Sequence, residues 1–270
     1  MPELPEVETI RRGLSSLIVG RKILGVESDS PKQVKPSLAQ VRKGAVGMKI
    51  DSVKRRAKLL LIYLADGKIL AVHLKLTGRL LVRQKGAPRD NWQHVTLVLS
   101  GDKELRFADL RKFGWIKLVG KEEVERLLSE FGPEPLDGLD LKLFQKTLSS
   151  SSRAVKIVLM DQKKISGIGN IYACDALNLA KINPKRAASG LSPKEAQSLY
   201  RAVEKVLKAG IKYRGASDQY YLDALGHKGG YQDHFLVYGR AGKKCFNCGG
   251  EIKKIKLGGR GTYVCPVCQK

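Results

Sequence analysis

Acidic residues are the scarce class in this 270-residue chain: 26 Asp and Glu face 50 Lys and Arg, a formal charge of +24. An excess this large disfavours basic partners and favours a polyanion, whose approach the field would steer. The imbalance is concentrated. Between Lys32 and Lys58 the sole acid is Asp51, and between Arg240 and Lys270 it is Glu251. Long apolar runs are also missing. None approaches the roughly 20 residues that span a bilayer, and the start, Met1-Pro2-Glu3-Leu4-Pro5-Glu6, lacks the basic and apolar stretches of a secretory signal. The expectation is a soluble protein of the cytoplasm, associated with the nucleoid and monomeric, without a membrane partner. Cysteine is sparse as well, and four of the five lie in the tail, at 245, 248, 265 and 268. A secreted disulfide scaffold does not distribute them that way.

What is present divides the chain into stretches of different character. Pro5 to Ile18 reads as an amphipathic helix with Pro5 at its first position, Glu6 and Glu8 complementing the dipole, and Val7, Ile10, Leu14, Leu17 and Ile18 on one face. From about Lys22 to Val119 the pattern is strand-like with almost no helical periodicity. Leu59–Leu64 and Ile69–Leu74 flank Asp66-Gly67, and Val95–Leu99 and Leu105–Phe107 flank Gly101-Asp102, both hairpin signals. This predicts a sandwich or barrel. Gly132 to Gly138, rich in Pro and Gly, is the linker candidate. Helices are expected over 141–148, 155–160, 170–180 and 193–209, then a long loop over 214–234. The domains are drawn at 1–131, 132–234 and 235–270.

Three constellations carry chemistry. Cys245-x2-Cys248-x16-Cys265-x2-Cys268 has the spacing of two knuckles around one tetrahedral ion. Four thiolates leave no open position, so one structural zinc is expected, with no organic cofactor. Such binding contributes about 10–16 kcal/mol to folding a small module. Cys174, alone in a helix, reads as a core residue. Between the knuckles, Gly258-Gly259-Arg260 puts an arginine at a hairpin tip. Gly167-Ile168-Gly169-Asn170 opens a helix, where backbone N–H groups can meet a phosphate, and Arg153, Lys156, Lys163 and Lys164 read as its basic surroundings. Finally, removal of Met1 would give Pro2 a secondary amine able to form an iminium with a sugar aldehyde carbon. An α-amino pKa near 7.7–8.0 leaves about a tenth unprotonated at pH 7. Glu3 beside it could move protons.

Pro2-Glu3-Leu4-Pro5-Glu6-Val7-Glu8, Gly167-Ile168-Gly169-Asn170-Ile171-Tyr172-Ala173 and the four-cysteine tail with Gly259-Arg260-Gly261-Thr262 together resemble the formamidopyrimidine-DNA glycosylases, end to end. The resemblance implies an α+β, multidomain fold: an N-terminal β-sandwich with flanking helices, a helix–two-turns–helix domain and a zinc-finger β-hairpin. It implies a DNA-repair glycosylase and abasic-site lyase acting on double-stranded DNA that contains oxidised purines. Pro2 would attack the anomeric carbon, with β- and δ-elimination following. It assigns Glu3 as general acid, Lys58 to β-elimination, and Arg260 to δ-elimination. His73, Asn170, Lys58 and Arg260 would clamp phosphates, with His94 and Arg153 as further DNA contacts. Arg111 and Phe113 would enter the helix opposite the extruded base, since eversion costs a few kcal/mol of stacking and pairing. The family's third void-filling residue is usually Met, and Leu76 stands in its place here. The loop 217–232 has the length of the family's lesion-capping loop, while its Asp-Gln-Tyr-Tyr content is less predictable from the resemblance. Two alternatives stand beside this reading. One is an endonuclease-VIII-like enzyme for oxidised pyrimidines, which usually has Gly where Leu4 stands. The other is a catalytically dead zinc-finger DNA-binding module, against which the joint presence of Pro2, Glu3, Lys58 and Arg260 argues.

Overall fold

A computed structural model describes residues 1–270 and resolves two compact units, 1–129 with 213–230, and 130–212 with 231–270. In the first unit, helix α1 (Leu4–Ile18) lays Val7, Ile10, Leu14 and Ile18 into the core, as their spacing dictates. Its N-cap is Glu3, so Pro5 occupies the second helical position rather than the first. Strands β1 (Ile23–Ser28), β6 (Gly78–Gln84), β7 (Gln93–Leu99) and β8 (Lys103–Asp109) form one sheet, in the order β1-β7-β8-β6. The second sheet has five strands: β2 (Val34–Lys35), β3 (Ile50–Arg56), β4 (Leu59–Leu64), β5 (Ile69–His73) and β9 (Trp115–Val119). Their order is β2-β9-β5-β4-β3, antiparallel except for β2 against β9. Side chains from both sheets and α1 share one core, including Leu60, Ile62, Val72, Leu97 and Phe107. This is the sandwich that the alternating runs require.

Two helices escape the sequence reading. Helix α2 (Leu38–Ala45) is capped by the Ser37 hydroxyl, which accepts the Gln40 N–H at 3.2 Å, but buries only Val41 and Ala45. Helix α3 (Lys121–Ser129) buries only Val124. Short helices in charged sequence leave too few apolar positions for a period to show.

The second unit holds α4 (Leu141–Ser149), α5 (Val155–Leu159), α6 (Asn170–Leu179) and α7 (Pro193–Lys212), then the hairpin of β10 (Lys253–Leu257) and β11 (Arg260–Val264). Gly132 to Gly138 is no free linker. The Gly132 N–H donates to the Gln162 carbonyl at 2.9 Å, the Ser166 N–H to that of Pro133 at 3.0 Å, and Glu134 is buried. No helix of the protein is long and apolar enough to cross a membrane.

Candidate active site and DNA interface

The start of α1 is held by carboxyl groups. Glu3 and Glu6 form a reciprocal capping box, and the Glu3 N–H donates to Glu6 Oε2 at 2.8 Å. Both side chains are buried, as is Pro2, whereas Met1 is 43% exposed. Met1 acylates the Pro2 nitrogen in the 270-residue chain, so a Pro2 amine requires its removal. Glu6 also reaches the long loop after α7: its Oε1 accepts the Ala216 N–H at 2.7 Å. Further along, the carbonyls of the same loop accept. Val82 N–H meets the Ala224 carbonyl at 2.8 Å, Arg79 Nε meets that of Tyr220 at 2.6 Å, and the Tyr220 ring sits edge-on to Trp92. Residues 213–230 therefore pack with the sandwich, although α7 precedes them in the chain.

Lys58 occupies the two-residue turn between β3 and β4, where Ala57 takes a positive φ of 52°. It is largely buried. Arg55, just before the turn, pairs with Glu8 of α1 at 3.3 Å, tying the hairpin to the helix that carries Pro2 and Glu3. Glu8 serves this contact rather than the helix dipole. Burial would raise its carboxyl, but hydrogen bonds from Arg11 and Arg12 and the Arg11 and Arg55 charges outweigh burial and hold it below the usual range. Register pairs Leu59 with His73, which brings Lys58 and His73 to neighbouring positions. Burial, with help from the Lys75 and Lys58 charges, depresses His73 to about 3. Its Nδ1 accepts the Lys75 N–H at 3.0 Å. The ring is therefore neutral at physiological pH and keeps Nε2–H as a donor.

Leu76 lies in the turn between β5 and β6, half-buried. Arg111 and Phe113 lie in the turn after β8, both exposed, Phe113 by 53%. The Arg111 guanidinium stands over the Phe113 ring at 4.7 Å. His94 Nδ1 meets Asp29 at 2.8 Å, and Asp29 also pairs with Arg89. These line a concave surface of about 490 Å³ together with Arg42, Glu104 and Arg106.

In the second unit, Asn170 opens α6 behind Gly169, as the glycine motif predicts. Its Nδ2 donates to the Gly261 carbonyl at 3.0 Å. Lys156 is the functional neighbour that sequence reasoning misplaced. It is fully buried, and its ammonium donates to Asn170 Oδ1 and Thr262 Oγ1, both at 2.6 Å. Lys156 therefore ties the start of α6 to the hairpin instead of facing a DNA backbone. Arg260 follows the Gly258-Gly259 turn, both glycines at positive φ, and is exposed. Arg153 is exposed and pairs with Asp161 at 2.6 Å.

The four tail sulfurs lie within 4.8 Å of one another, with Cys245–Cys268 at 4.0 Å and Cys248–Cys265 at 3.5 Å. Four thiolates about 2.3 Å from a tetrahedral zinc are about 3.8 Å apart. The donor set fits one structural zinc, held by Cys245, Cys248, Cys265 and Cys268. Cys174 is buried in the same cluster as Cys245 and Cys265 but is not one of the converging four.

Three sequence signatures match in chain order: the formamidopyrimidine-DNA glycosylase N-terminal domain over 1–116, the H2TH domain of the same enzymes over 131–221, and the zinc finger found in FPG and IleRS over 242–270. The formamidopyrimidine-DNA glycosylase of Pelotomaculum thermopropionicum is 45% identical over 274 residues, covering 100% of this chain and 99% of the relative. The chain belongs to the formamidopyrimidine-DNA glycosylase family. The enzyme of that name from Carboxydothermus hydrogenoformans is 43% identical over 272 residues and the full length of both chains. Among solved structures, Lactococcus lactis Fpg in complex with abasic-site DNA is 39% identical. It superposes with a TM-score of 0.93 over 99% of both chains. Wild-type L. lactis Fpg with N7-benzyl-Fapy-dG DNA, and the same protein with oxidised-pyrimidine DNA, each match at 0.93 and 39% identity over 100% of both chains. Membership settles the family in favour of the formamidopyrimidine enzymes over the endonuclease-VIII-like alternative.

Proposed function

We propose that this chain is a bifunctional DNA glycosylase and abasic-site lyase of base excision repair. It removes 8-oxoguanine and formamidopyrimidines from double-stranded DNA. The observation that carries the reading is full-length family membership combined with Pro2 and Glu3 at the capped, buried end of α1. With Met1 removed, the Pro2 amine attacks the anomeric carbon, the damaged base departs, and an iminium links enzyme and sugar. Glu3, fixed by its N–H to Glu6, donates the proton at the sugar. Lys58 serves β-elimination and Arg260 δ-elimination. His73, His94, Arg153 and Asn170 are DNA contacts, and Leu76, Arg111 and Phe113 occupy the space the everted nucleotide leaves. The same reading places the protein in the cytoplasm, associated with the nucleoid.

The test is borohydride reduction with duplexes carrying 8-oxoguanine or an oxidised pyrimidine. We expect a covalent adduct with the purine lesion. A Pro2→Gly chain, or one that keeps Met1, should lose the adduct yet bind DNA in a salt-sensitive way. No adduct with either lesion refutes the enzyme. A pyrimidine-only adduct refutes the substrate, an arm that the oxidised-pyrimidine complex of the L. lactis protein makes worth running. Full trapping by either variant refutes the nucleophile.

A further inference from the structure

We propose that Thr77 and Asp109 form a buried joint that locks the Leu76 turn to the Arg111–Phe113 turn, so that the three side chains enter the duplex as one body. The inference rests on the void-filling roles proposed above and assigns two positioning residues to them. Thr77 and Asp109 are buried beneath these turns. The Thr77 hydroxyl donates to Asp109 Oδ1 in a short hydrogen bond and accepts the Arg111 N–H at 3.1 Å. Asp109 Oδ1 also receives the Arg111 N–H at 3.2 Å, and Oδ2 receives the Gly114 N–H at 2.7 Å. Gln33 Nε2 donates to the Gly114 carbonyl at 3.1 Å and lies 3.4 Å from Asp109 Oδ2. One carboxyl group therefore holds both ends of the loop bearing Arg111 and Phe113, and one hydroxyl fastens it to the neighbouring turn.

The remaining contacts leave this arrangement little room. A Cβ on Gly114 would lie 2.6 Å from Phe107 Cζ and 2.9 Å from the His73 carbonyl, so the loop closes directly on β5 and β8. The Asp109 N–H donates to the Trp92 carbonyl at 2.9 Å, anchoring the joint to the start of β7. Above it, Arg111 and Phe113 are exposed and stacked on each other. Two exposed side chains on a short turn would otherwise sample many rotamers. A fastened base lowers the ordering entropy left to be lost on insertion.

Inserted groups matter most when the base must be torn from its partner, because an unpaired or mismatched base is already easy to evert. The experiment compares single-turnover excision of 8-oxoguanine opposite cytosine with the same lesion opposite an abasic analogue. Thr77→Val keeps the shape and removes the hydroxyl, while Thr77→Ser keeps the hydroxyl. Asp109→Asn supplies a second, independent break. We expect Thr77→Val and Asp109→Asn to slow the paired substrate about tenfold and the unpaired one less than about twofold, with Thr77→Ser near wild type. The ratio of the two rates is insensitive to a fraction of unfolded enzyme. Equal slowing on both substrates, or no slowing on either, overturns the joint while leaving the proposed activity standing. A wild-type chain inactive on both overturns the activity and the joint together.

Discussion

His73 illustrates how burial sets the chemical form of a single residue. With its folded pKa near 3 and an unfolded value near 6.5, the unfolded chain binds the extra proton between those values. Its contribution to stability is thus present above about pH 6.5 and is lost as pH falls below it. At neutral pH its ring carries one N–H and no charge, so the phosphate contact proposed for it is a neutral hydrogen bond. Arg260, exposed on its hairpin tip, offers a charge. The two should differ in salt dependence. Arg260→Ala should lower the slope of log affinity against log salt by about 1, whereas His73→Ala should weaken binding with the slope unchanged. Fluorescence-anisotropy titrations over a salt series measure this, and a slope change for His73→Ala would show a protonated ring.

At the scale of elements, α6 is fastened to the segment leading into the zinc hairpin by one fully buried carboxyl. Asp175 Oδ1 accepts the Val237 and Tyr238 N–H groups at 3.0 and 3.1 Å, and Oδ2 accepts the Tyr231 hydroxyl at 3.2 Å. Aromatic contacts continue the connection, from Tyr172 on Tyr231 through Phe235 and Tyr238 to Tyr263 of β11. Burial pushes Asp175 up to about 6, although those donors pull it down. The folded state then binds the proton more tightly than the unfolded one, whose carboxyl sits near 3.9. Its stability contribution is complete below about pH 4 and is lost as pH rises through 6, the opposite of Glu8 and Asp161, whose carboxyls are held low. Asp175→Asn can keep its oxygen on the N–H groups and turn its amide toward Tyr231. Its unfolding free energy relative to wild type, measured by denaturant titration, should climb between pH 4 and 6 by an amount on the order of 2–3 kcal/mol and stay level above. A pH-independent difference would show that Asp175 stays ionised throughout.

For the molecule as a whole, the zinc finger is the part whose folding depends on a ligand. A chelator should unfold residues 240–270 selectively, visible as fast amide exchange there while the sandwich stays protected. DNA affinity should fall with it, because Arg260 and the Asn170–Gly261 contact both depend on the hairpin. Undiminished binding after verified zinc loss would show that the finger is dispensable.

Much of this protein is determined by the sequence alone. The apolar runs at 59–64 and 69–73 and the turn residues between them specify strands, because each strand buries itself against local neighbours. Cysteine spacing specifies the metal site, because each knuckle is a local turn. The charge excess needs no fold to be read. Only the tertiary structure decides where polar residues are buried. Lys156 and Asp109 look like surface residues in sequence, yet both lie in the interior, bonded to partners far along the chain. The same holds for Glu6, whose partner Ala216 is remote, and for the packing of 213–230 with the sandwich. Such pairings follow no period, and a buried hydrogen bond has no signature until both partners are in place. Pro2 stands between the two cases. Its amine, once Met1 is removed, and the Glu3–Glu6 capping box beside it are local to the sequence, while the burial of Pro2 and Glu3 is a product of the fold.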